Sequence, residues 1–586
     1  MFFTRAREQG DRPFLWHKQD GAWVSQSWAD AASQVASLAT ALKGLGLKRG
    51  DRVMLVSENR PEWCISDLAI MAAGCVTVPT YTTNTERDHQ HIIENSGACA
   101  IIVSNAKLAR TLLPAALRSS SARMVIGIDD LRAGQSGSME FHDWKTLIAA
   151  NPANTLQVSR QAEFKRGDLA CIIYTSGTGG APRGVMQHHG AILHNCEGCV
   201  SLISEDFGWD EEIFLSFLPL SHAYEHTGGQ HFPIALGAQI YYAEGLEKLA
   251  SNIEEVRPTI MVVVPRLFEV LRTRISKLIE KQGGIAPALL DQAVAIQARA
   301  AARGGRIALR DRPMHLALGV TLRPKIAKRF GGRIKAMVSG GAPLNPEVGN
   351  FFQALGLTFL QGYGQTEAAP VISCNRPKVG LKMDTVGPPL KGVEVRIADD
   401  GEILVRGELV MHGYWRNEEE TARVLKNGWL HTGDIGLIDD KGRIQITDRK
   451  KDIIVNDKGD NVAPQKVEGM ITLQPEIVQA MVYGDKKPYM TAVLVPDPEW
   501  TQEWCAHHAA HCNFKELAHD LDYRAALSRA VERVNKDLSQ IERIRRFILA
   551  DEPFTIENEQ LTPSLKIRRH ILKQVYGDRL DALYRG

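Results

Sequence analysis

The sequence predicts an α/β protein with a large N-terminal domain and a smaller α+β domain after it. Three observations support this prediction. Short apolar runs alternate with helical patterns through the first half, hairpin patterns follow Gly387, and a polar run at residues 447–452 precedes a different pattern. The length of 586 residues also exceeds one ordinary domain. We expect an N-terminal domain over residues 1–448 and a C-terminal domain over residues 449–586.

Strand and helix patterns alternate from residue 53 onward. Apolar tetrapeptides predict buried strands, and Pro61 stands where a first-turn proline opens a helix. The alternation predicts a largely parallel sheet with helices on its faces. The predicted elements are strand 53–56, helix 61–73, strand 76–79, helix 85–95 and strand 100–103, with further strands at 169–173, 259–264, 334–338 and 357–360.

The region after Gly387 has a different character. Residues 393–405 and 437–446 each show two short apolar segments around an Asp-rich turn with glycine, which predicts antiparallel hairpins. The polar run at 447–452 is predicted to be a linker. Beyond it, strands near 453 and at 490–495 and helices near 464 and at 523–538 predict the smaller domain.

The composition is that of a soluble globular enzyme. Hydrophobic residues make up 44% of the chain and charged residues 24%, which excludes a disordered chain. The formal charge of +2 gives no overall attraction to nucleic acid or to anionic lipid. Because no secretory signal and no apolar run of about 20 residues is found, we expect a cytoplasmic protein with membrane contact that is at most peripheral, at the inner surface. The arginines of a predicted helical insertion at 286–312 favour a solvent-facing surface over a lipid-binding helix.

Nine cysteines in a chain of this length do not predict a disulfide framework. Cys196 and Cys199 have a spacing found in redox and zinc motifs, but no second pair accompanies them. A second cluster places two possible metal ligands on one helix face, which does not close a site, so a polar helix surface is favoured and metal binding is left open. That cluster comprises Cys505, His507, His508, His511 and Cys512.

The strongest chemical signal is the run Tyr-Thr-Ser-Gly-Thr-Gly-Gly-Ala-Pro-Arg-Gly-Val at residues 174–185, which follows a predicted strand. Small hydroxyl residues and glycines let N–H and O–H groups surround an anion, and Arg183 adds a positive charge. The run predicts a loop that holds a triphosphate, with a flexible turn as the alternative. It is not a Walker A loop, because Val185 stands where lysine is required.

Further motifs offer groups that suit a nucleotide. In Gln-Gly-Tyr-Gly-Gln-Thr-Glu at 361–367, an aromatic ring between glycines can lie flat on a purine, and Thr366 and Glu367 offer oxygen ligands to Mg²⁺. Asp434, which ends Trp-Leu-His-Thr-Gly-Asp, offers a carboxylate to two ribose hydroxyls. Asp-Arg-Lys-Lys-Asp at 448–452 and Leu-Thr-Pro-Ser-Leu-Lys-Ile-Arg-Arg at 561–569 follow in order.

In this order, the five motifs resemble those of the adenylate-forming (AMP-binding) superfamily, which includes acyl-CoA synthetases, adenylation domains of peptide synthetases and firefly luciferase. The resemblance covers nearly the whole chain and is strongest to long-chain fatty acyl-CoA synthetases. The segments that carry this finer likeness are 51–53 with 59–63, 218–226 and 459–464. It implies their fold, with layered sheets, a small β-barrel-like part and a small mobile C-terminal domain.

The resemblance also implies an activity, that of an acid–thiol ligase. ATP would activate a fatty, long-chain carboxylic acid to acyl-AMP with release of pyrophosphate, and coenzyme A would then displace AMP to give acyl-CoA. The implied cofactors are ATP, Mg²⁺ and coenzyme A as co-substrate. The expected partners are these small molecules and no nucleic acid, and a homodimer is left open.

The roles implied for single residues fall into five groups. The catalytic residues would be Lys566, Thr366 and Glu367, of which Glu367 would bind Mg²⁺. The residues that would bind ATP and AMP are Thr175, Ser176, Gly177, Thr178, Arg183, Gly341, Ala342, Pro343, Gln361, Gly362, Tyr363, Gly364, Thr366, Asp434 and Arg449. The acyl pocket would comprise Phe217, His222, Tyr224, Val338 and Gly340. Asp448 would be the domain hinge, and Gly459, Asn461 and Ala463 would serve the coenzyme A step.

Two positions depart from the family pattern. Gly179 stands where most members have threonine, and Arg183 stands where most have lysine. Arginine keeps the charge but spreads it over a planar fork. The contacts of this loop with phosphate are therefore left open.

Two other functions fit the same motifs. One is the same chemistry on an aryl, bile-acid or other carboxylate, or with transfer to a carrier protein. The pair His188-His189 lacks the Asp of an acyl-transfer motif. The other is a catalytically idle nucleotide-binding protein, against which the joint presence of Glu367, Asp434, Arg449 and Lys566 argues.

Overall fold

The computed structural model describes residues 1–131, 139–162, 164–175, 182–303, 305–450, 452–458, 460–508, 513–562 and 567–585. Among these residues the strands are, in chain order, β1 Pro13–Gln19, β2 Ala22–Ser27, β3 Arg52–Val56, β4 Val76–Thr80, β5 Ala100–Val103, β6 Met124–Gly127, β7 Glu140–Asp143, β8 Leu169–Thr175, β9 Arg183–His188, β10 Ile213–Ser216, β11 Gln239–Tyr242, β12 Ile260–Val263, β13 Ala336–Ser339, β14 Phe359–Gly364, β15 Val371–Cys374, β16 Glu394–Ile397, β17 Glu402–Arg406, β18 Leu425–Lys426, β19 Trp429–Ile438, β20 Ile444–Arg449, β21 Ile454–Val455, β22 Asn461–Val462, β23 Ile477–Tyr483, β24 Met490–Pro496 and β25 Ile544–Leu549.

The helices of the same residues are α1 Phe2–Gln9, α2 Trp28–Gly44, α3 Pro61–Ala72, α4 Glu86–Ser96, α5 Ala106–Arg118, α6 Trp144–Ala150, α7 Thr155–Gln161, α8 His189–Phe207, α9 Ala223–Glu225, α10 Phe232–Leu236, α11 Leu249–Val256, α12 Pro265–Gln282, α13 Ala286–Ala301, α14 Arg312–Val320, α15 Arg323–Arg329, α16 Pro346–Ala354, α17 Glu418–Val424, α18 Pro464–Ile471, α19 Pro498–His508, α20 Phe514–Leu517, α21 Leu521–Asn535 and α22 Arg569–Ala582. A π-helical turn spans His226–His231, and 3₁₀ turns span Leu309–Asp311, Thr366–Ala368 and Pro377–Val379.

A seven-stranded sheet has the order β7-β6-β5-β3-β4-β8-β9. Its strands run parallel except β9, which is antiparallel to β8 at the edge. In register, Val53 lies opposite Thr77 on one side and Ala100 on the other. The parallel sheet predicted from the alternating pattern is confirmed, because apolar runs such as residues 53–56 are buried by helices on both faces.

An eight-stranded sheet has the order β15-β14-β13-β12-β10-β11-β1-β2. Its strands from β14 to β1 are parallel, and β15 and β2 are antiparallel edge strands. Side chains of α2 and α3 share one apolar cluster with strands of both large sheets. This shared core gives the layered arrangement that the resemblance implies.

The small β-rich part is a five-stranded antiparallel sheet formed by β16 to β20. The two predicted hairpins are β16–β17 and β19–β20. The predicted linker at 447–452 is wrong for its first three residues, which continue β20. Asp448 lies opposite Ile435 and Arg449 opposite Asp434, because β19 supplies a partner for these polar residues.

The C-terminal part is built on a sheet of order β23-β24-β25 and a β21–β22 hairpin. Alternate residues of β24 enter two different cores, with Ala492 and Leu494 in one and Val493 and Val495 in the other. Helices on both faces of this sheet confirm the predicted α+β character. No helix in the described ranges is both long enough and apolar enough to span a bilayer.

The described members of the two cysteine clusters lie on the helices α8 and α19. Cys196 and Cys199 are free thiols on α8, and Cys196 is buried. Burial raises the pKa of the Cys199 thiol to about 12, so it is inert at neutral pH. His507 and His508 end α19, where the ring of His508 stacks on Trp504 at 4.1 Å. His511 and Cys512 of the same predicted cluster lie outside the described residues.

Candidate active site

A cavity of about 1780 Å³ opens at the carboxyl ends of β8, β13 and β14. Ligand sites in parallel sheets commonly lie at these ends, where the loops carry variable side chains. The five-stranded sheet and residues of the C-terminal part, among them Tyr483 and Lys573, complete its walls. The cavity therefore lies where the two parts of the chain meet.

Most of the predicted site residues in the described ranges line this cavity. They come from seven separate stretches of sequence, which the fold brings together. The lining includes Thr175, Arg183, His222, Tyr224, Val338, Gly340, Gly341, Gly362, Tyr363, Gly364, Thr366, Glu367, Asp434 and Arg449.

Other predicted residues have different positions. Ala342 and Pro343 are exposed just beyond the lining residue Gly341, Gln361 is buried in β14, and Phe217 packs against the apolar core beside the eight-stranded sheet. Asp448 lies in β20, Asn461 in β22, and Ala463 directly before α18. The remaining ones lie outside the described residues: Ser176, Gly177, Thr178, Gly179, Gly459 and Lys566.

The predicted nucleoside end of the cavity is a connected group of three side chains. The hydroxyl of Tyr363 donates a 2.6 Å hydrogen bond to Oδ2 of Asp434. Nε of Arg449 lies 3.4 Å from Oδ1 of the same carboxylate. Burial raises the pKa of Tyr363, and so does the adjacent carboxylate, so the phenol stays a donor. Asp434 and Arg449 are held at this distance because they are paired across β19 and β20.

The predicted metal ligand Glu367 is held by a residue that the sequence motifs do not include. The hydroxyl of Tyr414 donates a 2.8 Å hydrogen bond to Oε1 of Glu367. Burial raises the pKa of Tyr414, which keeps this donor protonated. The neighbouring Thr366 is fixed through its backbone, because Nε2 of Gln187 donates to its carbonyl oxygen at 2.7 Å. Because Tyr414 bonds one oxygen of this carboxylate, the other is the oxygen that could bind a hard cation such as Mg²⁺.

Arg183 is held by two neighbours at the mouth of the glycine-rich run. It lies opposite Thr175 in register, so the run connects the antiparallel strands β8 and β9. Its guanidinium lies 4.7 Å from the ring centroid of Tyr414 and forms an ion pair with Glu420. A planar cation suits stacking and pairing at the same time, which a lysine ammonium does not.

The predicted acyl wall is built around Tyr224. Its hydroxyl donates a 2.9 Å hydrogen bond to the carbonyl oxygen of Val338, and its backbone N–H donates to Nδ1 of His222 at 3.1 Å. Gly340 lies against the ring, where a Cβ atom would come within 2.8 Å of Tyr224 Cζ. His222 is thus the N-cap of the short helix α9.

A buried carboxyl group behind this wall was not predicted. Glu225 is 1% exposed, and Oγ of Ser216 donates a 2.6 Å hydrogen bond to its Oε1. Burial raises the pKa of Glu225 to about 8, so the group is mostly protonated at neutral pH. The only signal for Glu225 in the sequence was its place in segment 218–226, which carries part of the likeness to long-chain fatty acyl-CoA synthetases.

The predicted hinge residue Asp448 is buried at the end of β20. Its Oδ1 accepts a 2.6 Å hydrogen bond from the backbone N–H of Arg449, and its Oδ2 has no partner. Burial raises the pKa of Asp448 to about 6, against the opposing effect of Arg569 from the C-terminal part. Arg569 itself donates to Glu468 at 2.7 Å. The first residue of the predicted C-terminal domain therefore follows a buried carboxyl group.

Comparison with known protein families identifies two regions. The profile described as AMP-binding enzyme matches residues 2–415, and the profile of the AMP-binding enzyme C-terminal domain matches residues 451–586.

Full-length relatives and a solved structure agree with these matches. The long-chain-fatty-acid–CoA ligase FadD15 of Mycobacterium tuberculosis is 33% identical, over 100% of this chain and 96% of its own length. The peroxisomal long chain acyl-CoA synthetase 7 of Arabidopsis thaliana is 30% identical over 97% of this chain and 83% of its own length. The A domain of carboxylic acid reductase from Segniliparus rugosus, solved with AMP and a co-purified carboxylic acid, shares the fold with a TM-score of 0.76 at 21% identity, covering 100% of this chain and 93% of that one. The chain belongs to the AMP-binding enzyme family, among its long-chain acyl-CoA synthetase-like members.

Proposed function

We propose that this protein is an acid–thiol ligase that activates a fatty acid with ATP and transfers the acyl group to coenzyme A. One observation carries the proposal: a single cavity gathers the Tyr363–Asp434–Arg449 group, the Thr366–Glu367 pair and the wall around Tyr224. Nucleotide-binding groups and a wall that suits an acyl chain thus adjoin each other in one space. Activation of aryl or other acids is not favoured, because the full-length relatives carry long-chain names.

The first step joins two anions. An oxygen of the fatty carboxylate attacks the α-phosphorus of ATP, the bond from that phosphorus to the bridging oxygen breaks, and pyrophosphate leaves with the electron pair. The site must reduce the repulsion between the carboxylate and the phosphates. Arg183 is a cation at the cavity, and Lys566 is proposed to supply a second.

The nucleoside is proposed to bind at Tyr363 and Asp434. The Tyr363 ring would face the adenine, with Gly341, Ala342 and Pro343 on the other side. Asp434 would accept hydrogen bonds from the ribose hydroxyls, supported by Arg449. Because the Tyr363 hydroxyl already fixes Asp434 Oδ2, this carboxylate is oriented before the nucleotide arrives.

The β- and γ-phosphates are proposed to lie along the glycine-rich run. Thr175, Ser176, Gly177, Thr178 and Arg183 would contact them. Arg183 is already paired with Glu420, so an incoming phosphate competes with that carboxylate for the guanidinium. This arrangement accounts for an arginine at a position where most of the family has lysine.

Magnesium is proposed to be held by Glu367. The chemistry it supplies when bound is neutralisation of phosphate charge. Tyr414 orients the Glu367 carboxylate, and Gln187 fixes the Thr366 backbone beside it. These neighbours keep the two side chains aimed at the cavity before a substrate enters.

The second step is proposed to use a rotated C-terminal domain. The thiol of coenzyme A attacks the acyl carbon, AMP leaves, and the thiol proton passes to solvent or base. Asp448 would be the hinge, and Gly459, Asn461 and Ala463 would replace Lys566 at the cavity. Lys566→Ala is expected to lower adenylation by about 10²–10³ and to spare thioester formation from supplied acyl-AMP.

A pyrophosphate-release assay tests the proposed function. Purified protein is incubated with ATP, Mg²⁺ and a panel of fatty acids of increasing chain length, aryl acids and bile acids, with and without coenzyme A. We expect release with fatty acids and acyl-CoA formation only when coenzyme A is present. Release with aryl acids alone, formation of ADP, or no turnover with any acid would each overturn the proposal.

Peripheral membrane contact is proposed at residues 303–335. This segment holds ten Lys and Arg residues against one Asp, although the whole chain has a formal charge of only +2. On α14, Leu316 and Val320 lie one turn apart and are 71% and 80% exposed, whereas Leu318 on another face is buried. Exposed apolar side chains within a basic surface suit an anionic bilayer.

Two further predictions concern the cellular location and the oligomeric state of the protein. A cytoplasmic location and a homodimer follow from the sequence analysis only as expectations. Sedimentation of the purified chain over a range of concentrations measures directly whether it forms a homodimer.

A further inference from the structure

A buried cluster of polar side chains lies outside the cavity lining. Asp67 on α3 faces His226 and His231, which begin and end the π-helical turn. The side chains of Asp67 and His226 are fully buried, and that of His231 is 4% exposed. None of the three belongs to the lining of the cavity.

Three ligand-type atoms of this cluster converge. Nε2 of His226 lies 2.9 Å from Oδ2 of Asp67 and 3.2 Å from Nε2 of His231. Nε2 of His231 lies 3.7 Å from the same carboxylate oxygen. The atoms form a compact triangle rather than a chain.

Hydrogen bonds serve this triangle only if one proton is shared. A proton on His226 Nε2 points to Asp67 Oδ2 at 2.9 Å, and the same proton is then the only one that this nitrogen can offer to His231 Nε2 at 3.2 Å. A proton on His231 Nε2 would reach Asp67 only across 3.7 Å, which is too long for a hydrogen bond. A doubly protonated His226 would leave its Nδ1–H buried without an acceptor, since Nδ1 has no partner in the structure.

A tetrahedral metal ion satisfies all three atoms at once. With zinc bonds of about 2.0–2.1 Å, neighbouring ligand atoms stand about 3.3 Å apart. The observed 2.9, 3.2 and 3.7 Å bracket that spacing. Gln230 offers a fourth oxygen, because its Nε2 lies 2.7 Å from Asp67 Oδ2 while its Oε1 has no partner, and half a turn of the amide exchanges the two atoms.

We propose that Asp67, His226 and His231 bind a structural Zn²⁺ ion, with Gln230 or a water as the fourth ligand. Imidazole and carboxylate ligands suit zinc, and a site this deeply buried would be filled during folding. The ion would tie α3 to the π-helical turn, whose Thr227 donates to the Ala369 carbonyl beside Thr366–Glu367. Its role is to hold the floor of the cavity and not to take part in the reaction.

Metal content of the untagged protein tests this directly. The chain is expressed in zinc-supplemented medium, purified without chelator and measured by elemental analysis. We expect about one zinc per chain, loss of the metal by at least about tenfold in His231→Gln, and unchanged content in His89→Gln. His89 is a matched control, because it is also a buried histidine but lies on α4.

A second measurement needs no variant. The wild-type chain is unfolded with chelator and refolded with Co²⁺, and we expect the intense visible absorption of a tetrahedral cobalt site together with a higher melting temperature than that of metal-free refolded protein. Absence of zinc after expression together with no such absorption would overturn the proposal. So would zinc that His231→Gln retains in full.

Discussion

Tyr363 and Tyr414 each donate a hydrogen bond to a carboxylate that lines the cavity, Asp434 in one case and Glu367 in the other. In both cases burial raises the pKa of the phenol, which keeps it a donor. A carboxylate fixed in this way loses little rotational freedom when a ligand binds. At the scale of the residue, the site therefore depends on the hydroxyl groups of Tyr363 and Tyr414 as much as on the carboxylates that they orient.

Tyr414→Phe removes the hydroxyl that orients Glu367 and keeps the ring under Arg183. A hydrogen bond to a charged group contributes about 1.5–3 kcal/mol, so we expect kcat/KM for ATP to fall roughly 10- to 150-fold. Pyrophosphate release at varied ATP and Mg²⁺ measures the change. Tyr489→Phe, which loses a 3.0 Å bond to the Leu583 carbonyl away from the cavity, is the control, and equal activity of both variants would contradict the role of Tyr414.

Gly340→Ala is expected to disturb the acyl wall. The new Cβ atom would come within 2.8 Å of Tyr224 Cζ, and the ring cannot retreat easily because its hydroxyl is bonded to Val338. Overpacking of this kind costs about 1–3 kcal/mol, and we expect a lower melting temperature and a raised KM for the fatty acid. Gly319→Ala, on an exposed helix with no atom near the added carbon, should do neither. If the KM for the fatty acid is unaltered in Gly340→Ala, the wall around Tyr224 does not take part in binding the acid.

The sequence pointed to Tyr363 and Asp434 but not to Tyr414 or Glu420. The first two stand in motifs whose spacing carries a chemical pattern. Tyr414 acts on Glu367 from 47 positions along the chain, and Glu420 acts on Arg183 from 237 positions. Contacts over such separations depend on how sheets pack, which no local pattern encodes.

At the scale of the element, strand ends were predicted too early where glycine or polar residues follow. β14 continues through Gly364, although the apolar pattern stops at Leu360. The reason is tertiary: β15 pairs with this segment, and at Gly364 a Cβ atom would come within 1.8 Å of the Pro370 carbonyl oxygen. β20 likewise continues through Arg449 because β19 offers a pairing edge. Short, wholly apolar runs such as those of β3 and β5 were predicted well because burial on both faces selects them.

The end of β20 gives a prediction that depends on pH. Burial raises the pKa of Asp448 to about 6 from its ordinary value of 3.8, so between these values the folded chain keeps a proton that the unfolded chain has released. The contribution of this group to stability is therefore present at low pH and falls as pH rises through that window, by about 2–3 kcal/mol in all. Asp448→Asn has no such proton. We expect its free energy of unfolding, relative to wild type, to improve by that amount between pH 4 and pH 7.

Denaturant titrations across that pH range measure the difference. Asp439→Asn is the opposite control, because the adjacent Arg443 and backbone donors outweigh burial and lower the pKa of Asp439. Its stability relative to wild type should worsen as pH rises. A difference for Asp448→Asn that does not vary with pH would show that this carboxyl group is not buried in the folded chain.

At the scale of the whole molecule, the near-neutral total charge conceals a strong local excess of positive charge. The formal charges of all 586 residues sum to +2, while residues 303–335 alone hold ten basic residues and one acidic residue. The sequence favoured a solvent-facing surface at 286–312 because arginines on a helix usually face water. Only the fold revealed that Leu309, Leu316 and Val320 are exposed beside them.

Vesicle co-sedimentation tests this surface. We expect binding to vesicles that contain an anionic lipid, little binding to vesicles of neutral lipid, and weakening as salt rises, because each basic residue near an anionic surface contributes about 1 kcal/mol that salt screens. Lys325→Glu with Lys328→Glu should weaken binding by roughly 10²-fold or more on the same basis, and Leu316→Ser with Val320→Ser should weaken it in a way that low salt does not rescue. Lys107→Glu with Lys145→Glu is the matched control, since these exposed lysines lie outside the segment. Equal binding by the two charge-reversed variants would mean that the whole chain's charge, and not this surface, attracts the lipid.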